Sequence, residues 1–382
     1  MRPHTGAAGA APLPVRRQAG AAAAPFYAAA VPFDPPEPPS SPPLVHRDRR
    51  AVAFWLFGLC AMLLVMVVLG GATRLTGSGL SIMEWAPVSG MLPPLSEQEW
   101  RRLYALYQSI PQYALVNEGF GLEGFKRIFW LEWTHRLWGR LIGLALLLPL
   151  LVFAGRRALS RRLWIRLAVL FVLGGLQGAV GWFMVASGFA ADSTAVAPVR
   201  LVAHLVLALA LYAALLWTAL GVLHPWRRPG RASRQLPACV AMAALTIAAG
   251  GFVAGLHAGL IYNTFPLMDG RLVPAEWGAL SPWPRNLVAN VAAVQFNHRL
   301  LATLTALVVL ASVGRLWPHR FLRPALAAMA VMVGLQYALG VATLLLAVPV
   351  WLGTLHQAGA VLLLTATLVA LHADRHASGP PL

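Results

Sequence analysis

The chain has 382 residues, of which 58% are hydrophobic and only 11% are charged. An ordinary soluble domain is about 25% charged, so this composition excludes a typical cytosolic enzyme and predicts an integral membrane protein. The 30 Lys and Arg residues outnumber the 13 Asp and Glu residues, which gives a formal net charge of +17. A basic excess can indicate a nucleic-acid partner, but in a membrane protein it must first be compared with the topology.

The beginning of the chain differs in composition from the rest. Residues 1–50 are rich in Ala, Pro and Arg, and they contain no apolar run long enough for a secretory signal peptide. Such a segment buries too little apolar surface to offset its conformational entropy, which favours a disordered cytoplasmic tail. A transit peptide is the less favoured alternative.

Eight apolar stretches follow, each about long enough to cross a bilayer as a helix. They are residues 51–72, 133–154, 165–187, 201–223, 237–261, 292–314, 324–347 and 349–372. A short amphipathic helix is predicted over residues 95–110, in the long connection between the first two spans. The predicted fold class is therefore an all-α integral membrane protein with eight transmembrane helices.

Arginine residues cluster in every second connection between the spans. They are Arg47, Arg49 and Arg50 before the first span, Arg156, Arg157, Arg161, Arg162 and Arg166 after the second, Arg227, Arg228, Arg231 and Arg234 after the fourth, Arg315, Arg320 and Arg323 after the sixth, and Arg375 at the end. By the positive-inside rule both termini are cytoplasmic. This orientation accounts for most of the net charge, and it argues against a nucleic-acid partner.

The chain repeats itself in two halves. Gly70-Gly71 returns 180 residues later as Gly250-Gly251, and EWTHR at residues 132–136 returns as QFNHR at residues 295–299. An even number of spans in each half makes the repeats parallel. We therefore expect two four-helix bundles related by a pseudo-twofold axis. Their predicted bounds are residues 51–223 and 237–372, joined by a cytoplasmic linker at 224–236 and followed by a cytoplasmic tail at 373–382.

Four of the eleven histidines occupy matching places in the two halves. His135 and His298 are predicted to begin the second helix of each half, and His204 and His356 the fourth. Two imidazoles from facing helices of a bundle are suited to axial ligation of haem iron. Zinc fits less well, because neither pair has the Cys or carboxylate ligands of a tetrahedral site. The alternative is that the four histidines lie at the membrane interface or hydrogen-bond to neighbouring helices.

Small and basic residues accompany the histidines. Glycines that favour either a haem slot or close helix packing are Gly174, Gly175, Gly178, Gly181, Gly334 and Gly340. Arg136 and Arg299 follow two of the histidines directly, and their guanidinium groups suit bidentate binding of haem propionates. The alternative for these arginines is snorkelling to the membrane interface.

One position distinguishes the two halves. Glu132 precedes His135 by three residues, which places the carboxylate on the same helix face as the imidazole, whereas Gln295 precedes His298. A carboxylate can perform acid–base work and an amide cannot. We therefore expect a reacting haem in the first half and a permanent electron-transferring haem in the second. The alternative is that Glu132 only pairs with a nearby arginine.

Five runs of residues together resemble the haem A synthase family. They are GGATRLTGSGLS at 70–81, EWTHR at 132–136, YNTFPLM at 262–268, FNHR at 296–299 and LHQ at 355–357. The resemblance extends from about residue 50 to residue 372. It implies an enzyme of eight helices that oxidises the C8 methyl group of haem O to the formyl group of haem A for cytochrome oxidase, with water as the oxygen source.

The resemblance also implies the roles of the histidines. His298 and His356 would bind the iron of a haem b cofactor, and His135 and His204 the iron of the haem O substrate. Glu132 matches the essential glutamate of the family, with a role in handling protons or stabilising an intermediate.

Other family features extend the expectation. Arg74, Arg136, Arg299 and His257 are candidate contacts for haem propionates. The first external loop lacks the cysteine pair of some members, so the chain is similar to the alphaproteobacterial and mitochondrial branch. The implied location is the bacterial inner membrane, with the haem sites toward the periplasm. The implied partners are haem O synthase, cytochrome oxidase assembly factors and further copies of this chain.

Two other functions compete with the synthase. One is a membrane cytochrome that transfers electrons between two bis-histidine haems, and the other is a haem carrier. Neither uses the difference between Glu132 and Gln295, so this asymmetry favours the enzyme, whose hard chemistry belongs to the haems.

Overall fold

The computed structural model describes residues 46–224 and 233–377. Ten α-helices lie within these ranges: α1 His46–Leu75, α2 Glu97–Gln108, α3 Pro111–Val116, α4 Gly121–Gly155, α5 Arg161–Ala186, α6 Pro198–Leu223, α7 Gln235–Gly255, α8 Val291–Leu316, α9 Arg323–Leu345 and α10 Val350–Ala377. All of them except α2 and α3 are long and apolar enough to cross a membrane. The prediction of an all-α protein with eight spans is confirmed.

Several predicted boundaries are corrected by the structure. Helix α4 begins at Gly121 and not near residue 133, so the prediction that His135 begins its helix is wrong. The added turns bury Phe125 and Phe129 against the first external connection, which explains why a partly polar stretch is helical. Helix α7 ends at Gly255 and not at residue 261, because His257 adopts a left-handed conformation with φ of 52°.

The predicted tails and linker fall partly outside the described residues. Residues 1–45 of the predicted 1–50 tail lie outside them, while residues 46–50 already belong to α1. Residues 225–232 of the predicted 224–236 linker also lie outside. The predicted tail at 373–382 begins too early, since α10 continues to Ala377, and residues 378–382 are beyond the described range.

The spans of each half contact one another in a ring. In the first half the ring is α1, α4, α5 and α6, and in the second it is α7, α8, α9 and α10. Helices α1, α6, α7 and α10 also contact across the centre, where Leu56, Leu209 and Leu364 share one apolar cluster. The hydroxyls of Tyr212 on α6 and Thr365 on α10 hydrogen-bond at 2.7 Å. The outer pairs α4–α5 and α8–α9 therefore lie away from the centre.

The connection between α1 and α4, residues 76–120, is an ordered cap. The predicted amphipathic helix is confirmed as α2, whose first turn is capped by Ser96 accepting from the Glu99 amide at 3.2 Å. The Trp100 ring packs edge to face on Phe129 of α4, with centroids 4.9 Å apart. Tyr107 is fully buried, and this burial raises the pKa of its phenol. The extended α4 packs against this cap, and residues 81–86 of the same connection hydrogen-bond Glu132, Arg136 and Arg140 of α4.

Candidate functional site

Each of the four matched histidines packs against a glycine of the neighbouring helix. A methyl group added to the glycine would lie 3.2 Å or less from the imidazole. The pairs are Gly70 with His135 at 3.2 Å, Gly181 with His204 at 2.8 Å, Gly250 with His298 at 3.0 Å, and Gly340 with His356 at 2.9 Å. Every one of these glycines lies five residues before the last residue of its helix, at Leu75, Ala186, Gly255 and Leu345. The two halves thus repeat one arrangement, in which a glycine near the end of one helix packs against a histidine of the next helix. We call this arrangement the histidine mounting.

The histidines of the second half face each other at a separation suited to one metal atom. The ring centroids of His298 and His356 are 6.5 Å apart, and the rings are nearly perpendicular at 84°. That distance accommodates two metal–nitrogen bonds of about 2 Å together with the depth of both rings. The Nδ1–H of His298 donates to the Thr246 carbonyl at 3.1 Å, which leaves its Nε2 as the free ligand atom.

A glutamine orients the second histidine of each pair. The Nε2 of Gln336 donates to the backbone oxygen of His356 at 2.9 Å and lies 3.1 Å from its Nδ1. In the first half, Gln177 makes the same two contacts with His204, at 2.9 and 3.1 Å.

The donor set is more suitable for haem than for a bare metal ion. Across residues 46–224 and 233–377, no cluster of three or more His, Cys, Asp or Glu side chains forms a metal site. Two axial imidazoles complete the coordination of haem iron, because the macrocycle itself supplies the remaining ligands. The arrangement of the second half therefore fits a bis-histidine haem, and the first half repeats its glycine and glutamine contacts.

Glu132 and Gln295 occupy the same position but make opposite hydrogen bonds. Glu132 is only 2% exposed. Its Oε2 accepts from the Ser81 amide at 2.8 Å, the Ser81 hydroxyl at 2.7 Å and the Ile82 amide at 3.0 Å. Gln295 is equally buried, but its Nε2 donates to the carbonyls of Ala258 and Ile261 at 2.6 and 2.5 Å. The Glu132 carboxylate therefore holds residues 81–82 by accepting hydrogen bonds. The Gln295 amide holds residues 258–261 by donating them.

The arginine after the first histidine of each half also holds the connecting segment of that half, at residues 82–84 and 262–264. Arg136 donates to the carbonyls of Ile82 and Glu84 at 2.6 and 3.1 Å, and it forms an ion pair with Glu132 at 2.6 Å. This is the pairing that the sequence left open for Glu132. Arg299 repeats the arrangement, donating to the carbonyls of Tyr262 and Thr264 at 2.6 and 2.9 Å.

Arg74 and His257 join the two halves. Arg74 lies at the end of α1, and its Nη2 donates to the Gly255 carbonyl and to Nε2 of His257, both at 2.9 Å. Burial and the adjacent Arg74 cation lower the pKa of the His257 imidazole. Among the described residues, the buried Nε atoms of Arg74 and Arg299 have no hydrogen-bond partner, so each keeps a donor that a carboxylate would satisfy.

The glycines predicted to line a slot divide into two groups. Gly181 and Gly340 lie against the histidines, as described above. A methyl group added at Gly174, Gly175, Gly178 or Gly334 would meet no described atom within 4 Å. Close helix packing therefore does not explain these four positions, of which three lie on α5 and Gly334 lies on α9.

Some residues of the site were not assigned a role from the sequence. The orienting glutamines carry a usable signal, because Gln177 and Gln336 precede Gly181 and Gly340 by the same four residues. Ser81 and Arg140 give no such signal. Arg140 donates to the Ala86 and Pro87 carbonyls at 2.7 and 2.9 Å, and these contacts depend on the path of the external segment.

Comparisons with known proteins place the chain among related sequences. A family model described as COX15-CtaA, cytochrome oxidase assembly protein, matches residues 53–368. A protein of Granulibacter bethesdensis named heme A synthase is 63% identical over 338 residues, covering 87% of this chain and 89% of the relative. Proteins with the same name from Nitrosospira multiformis and Caulobacter vibrioides are 48% and 50% identical, covering 85% and 87% of this chain and 93% and 98% of the relatives.

Proposed function

Because the chain belongs to the COX15-CtaA family of cytochrome oxidase assembly proteins, we propose that it is a haem A synthase. It oxidises the C8 methyl group of haem O to the formyl group of haem A. The observation that carries this proposal is the repeated histidine mounting, in which one half has a buried carboxylate where the other has an amide. The chain supplies the iron ligands and the local electrostatics, while the redox chemistry belongs to the haems.

The second half is the proposed cofactor site for haem b. His298 and His356 would bind its iron, since their rings lie 6.5 Å apart and both are held by hydrogen bonds. The bound haem supplies electron transfer. Gln295 leaves this site without a buried carboxylate beside the iron ligands, which suits a group that does not react.

The first half is the proposed substrate site. His135 and His204 would hold haem O through its iron, and Gly70 and Gly181 keep the imidazoles close to their neighbouring helices. Glu132 is the proposed catalytic carboxylate. Its five hydrogen bonds, three from residues 81–82 and two from Arg136, fix a negative charge in place. A carboxylate held in this way is suited to stabilising positive charge on the reacting carbon. It is less suited to moving and carrying protons.

The propionate contacts and the oxygen source are part of the same proposal. Arg74, Arg136, Arg299 and His257 would bind propionates, with the unpartnered Nε atoms of Arg74 and Arg299 as the available donors. Water is the proposed source of the formyl oxygen, so the conversion of the methyl group to the formyl group releases four protons and passes four electrons to a separate electron acceptor.

The proposed orientation follows from the arginine-rich connections. Both termini are cytoplasmic, and both haem sites lie toward the periplasmic side of the bacterial inner membrane. The halves at residues 51–223 and 237–372 are related by a pseudo-twofold axis. Haem O synthase, cytochrome oxidase assembly factors and further copies of the chain are the proposed partners.

Haem extraction with mass analysis tests the proposal directly. The protein is expressed together with a haem O synthase in a host that makes no haem A, then purified and extracted. We expect haem A or its hydroxymethyl intermediate together with haem b. Haem b with unchanged haem O would contradict the synthase and favour the electron-transfer cytochrome. Exchangeable haem at both sites without chemical change would favour the carrier.

A further inference from the structure

The outer faces of the two halves differ at three matched positions. Aligning Gln177 with Gln336 places Gly178 of α5 at the same position as Tyr337 of α9, and Gly174 at that of Val333. Aligning His135 with His298 places Arg140 of α4 at the same position as Thr303 of α8. These residues lie on the outer helix pairs, α4–α5 and α8–α9, just cytoplasmic of the histidines along the helices.

In the second half Tyr337 and Thr303 connect the two outer helices, while Val333 is buried in an apolar cluster. The Tyr337 hydroxyl hydrogen-bonds the Thr303 hydroxyl at 3.0 Å and so connects α8 with α9. The Tyr337 ring also packs edge to face on Phe265 of the external segment, with centroids 6.3 Å apart. The Tyr337 side chain of α9 therefore contacts both α8 and the segment that contains Phe265.

In the first half the same positions leave the helices unconnected. Gly178 has no side chain, and a methyl group added there or at Gly174 would meet no described atom within 4 Å. Arg140 does not reach across to α5; it donates to the Ala86 and Pro87 carbonyls of the external segment. That segment contacts α5 one turn nearer the external side, where the Trp85 and Trp182 rings lie 5.3 Å apart.

The two haems of the proposed function differ in the size of one substituent on the ring. Haem O carries a long hydroxyethylfarnesyl chain where haem b carries a vinyl group. We propose that Tyr337, fixed by Thr303 and Phe265, is the specificity-determining residue that keeps a haem with an isoprenoid tail out of the second half, whereas Gly178 leaves room for the tail in the first. This inference rests on the proposed function, because it assumes that each histidine pair holds a haem.

The selectivity of the second half can be measured alone. In the full chain carrying His204→Ala, which removes a ligand of the first site, the extracted haem should be haem b. Adding Tyr337→Gly should raise the ratio of haem O to haem b about 10- to 200-fold, the range over which a small change in an apolar pocket discriminates between ligands. Tyr337→Phe keeps the ring and its packing on Phe265 but loses the hydroxyl bond to Thr303, so its ratio should lie between those of the parent and Tyr337→Gly. An unchanged ratio in Tyr337→Gly would overturn the proposal.

A second variant keeps the proposal testable if Tyr337→Gly does not retain haem. Gly178→Tyr in the otherwise unaltered chain should lower haem A formation at least about tenfold. Haem b content and the absorption spectrum of the second site should remain unchanged, and Gly178→Ala should lower haem A formation less than Gly178→Tyr does. Full haem A formation by Gly178→Tyr would overturn the proposal. The unaltered chain tests the proposed function separately. If that function is wrong, the unaltered chain and Gly178→Tyr both form no haem A.

Discussion

The two halves of this protein hold their histidines in the same way and differ in what surrounds them. In both, a glycine five residues before the end of one helix receives an imidazole from the next, and a glutamine orients the second ring. Around this mounting, the first half has a buried carboxylate and an unbridged outer face. The second has a buried amide and a tyrosine that bridges its outer helices. Under the proposed function, this difference separates a reaction site in the first half from a cofactor site in the second.

Exchanging the carboxylate and the amide should have the largest effect. In Glu132→Gln, an amide nitrogen would face donors of Ser81, Ile82 or Arg136. We expect haem A formation to fall by about 10²- to 10⁴-fold, the contribution of a well-placed acid–base or charged group. Haem b content, read by extraction, should stay the same.

The matched control is Gln295→Glu in the second half. Its carboxylate would face the Ala258 and Ile261 carbonyls, which have no donor to offer. Each unsatisfied buried group costs about 1–3 kcal/mol, so this variant should lose thermal stability and haem b. Wild-type haem A formation by Glu132→Gln would show that the asymmetry has no chemical role.

Removing the orienting glutamines should have a smaller, half-specific effect. Residues that orient a metal-bound histidine contribute about 10- to 100-fold to metal affinity or activity. Gln177→Ala should weaken substrate use with haem b retained, and Gln336→Ala should weaken haem b retention. Haem content and haem A formation measured on both variants separate the two results. Equal effects of both variants on haem b would argue against independent sites.

The contact between the halves should contribute modestly to stability. Arg74 donates to the Gly255 carbonyl and to His257, whereas the position 180 residues later is Ala254. Arg74→Gln removes a charged donor from partly buried acceptors, so we expect a loss of about 1–3 kcal/mol in the free energy of unfolding. Thermal unfolding in detergent measures it. An unchanged melting temperature would show that the halves do not depend on this contact.

The smallest expected effect is a pH dependence at His257. Burial and the Arg74 cation lower the pKa of this imidazole, so the folded protein favours its neutral form. The unfolded chain binds the proton first, near the usual histidine pKa of about 6.5. The contribution of His257 to stability is therefore complete above that pH and is lost as the pH falls toward the lower folded value. His257→Gln should reduce the loss of melting temperature between pH 7.5 and 5.5; an equal loss in both proteins would contradict this assignment.

The eight spans could be predicted from the sequence because long apolar runs are a strong signal. The start of α4 could not, since residues 121–132 include Glu123, Lys126 and Arg127 and are helical only because Phe125 and Phe129 are buried by the cap. The end of α7 was missed for a related reason. Nothing in the apolar run to residue 261 marks the left-handed turn at His257.

The candidate site was predicted where the two halves repeat and was missed where they do not. The histidine pairs and the contrast between Glu132 and Gln295 follow from aligning the halves. The contacts of Arg140 and Tyr337 depend on how the external segments cross the helices, which is a tertiary feature with no periodic signal. The differences between repeats therefore carry as much functional information as the identities.

The central claim is that each half holds its own haem for its own purpose, and one measurement tests it most directly. His204→Ala and His356→Ala are expressed with a haem O synthase in a host that makes no haem A, and their haems are extracted and weighed. We predict that His204→Ala retains haem b and forms no haem A, and that His356→Ala loses haem b. Loss of haem b from His204→Ala, or its retention in His356→Ala, would contradict the assignment of the two halves.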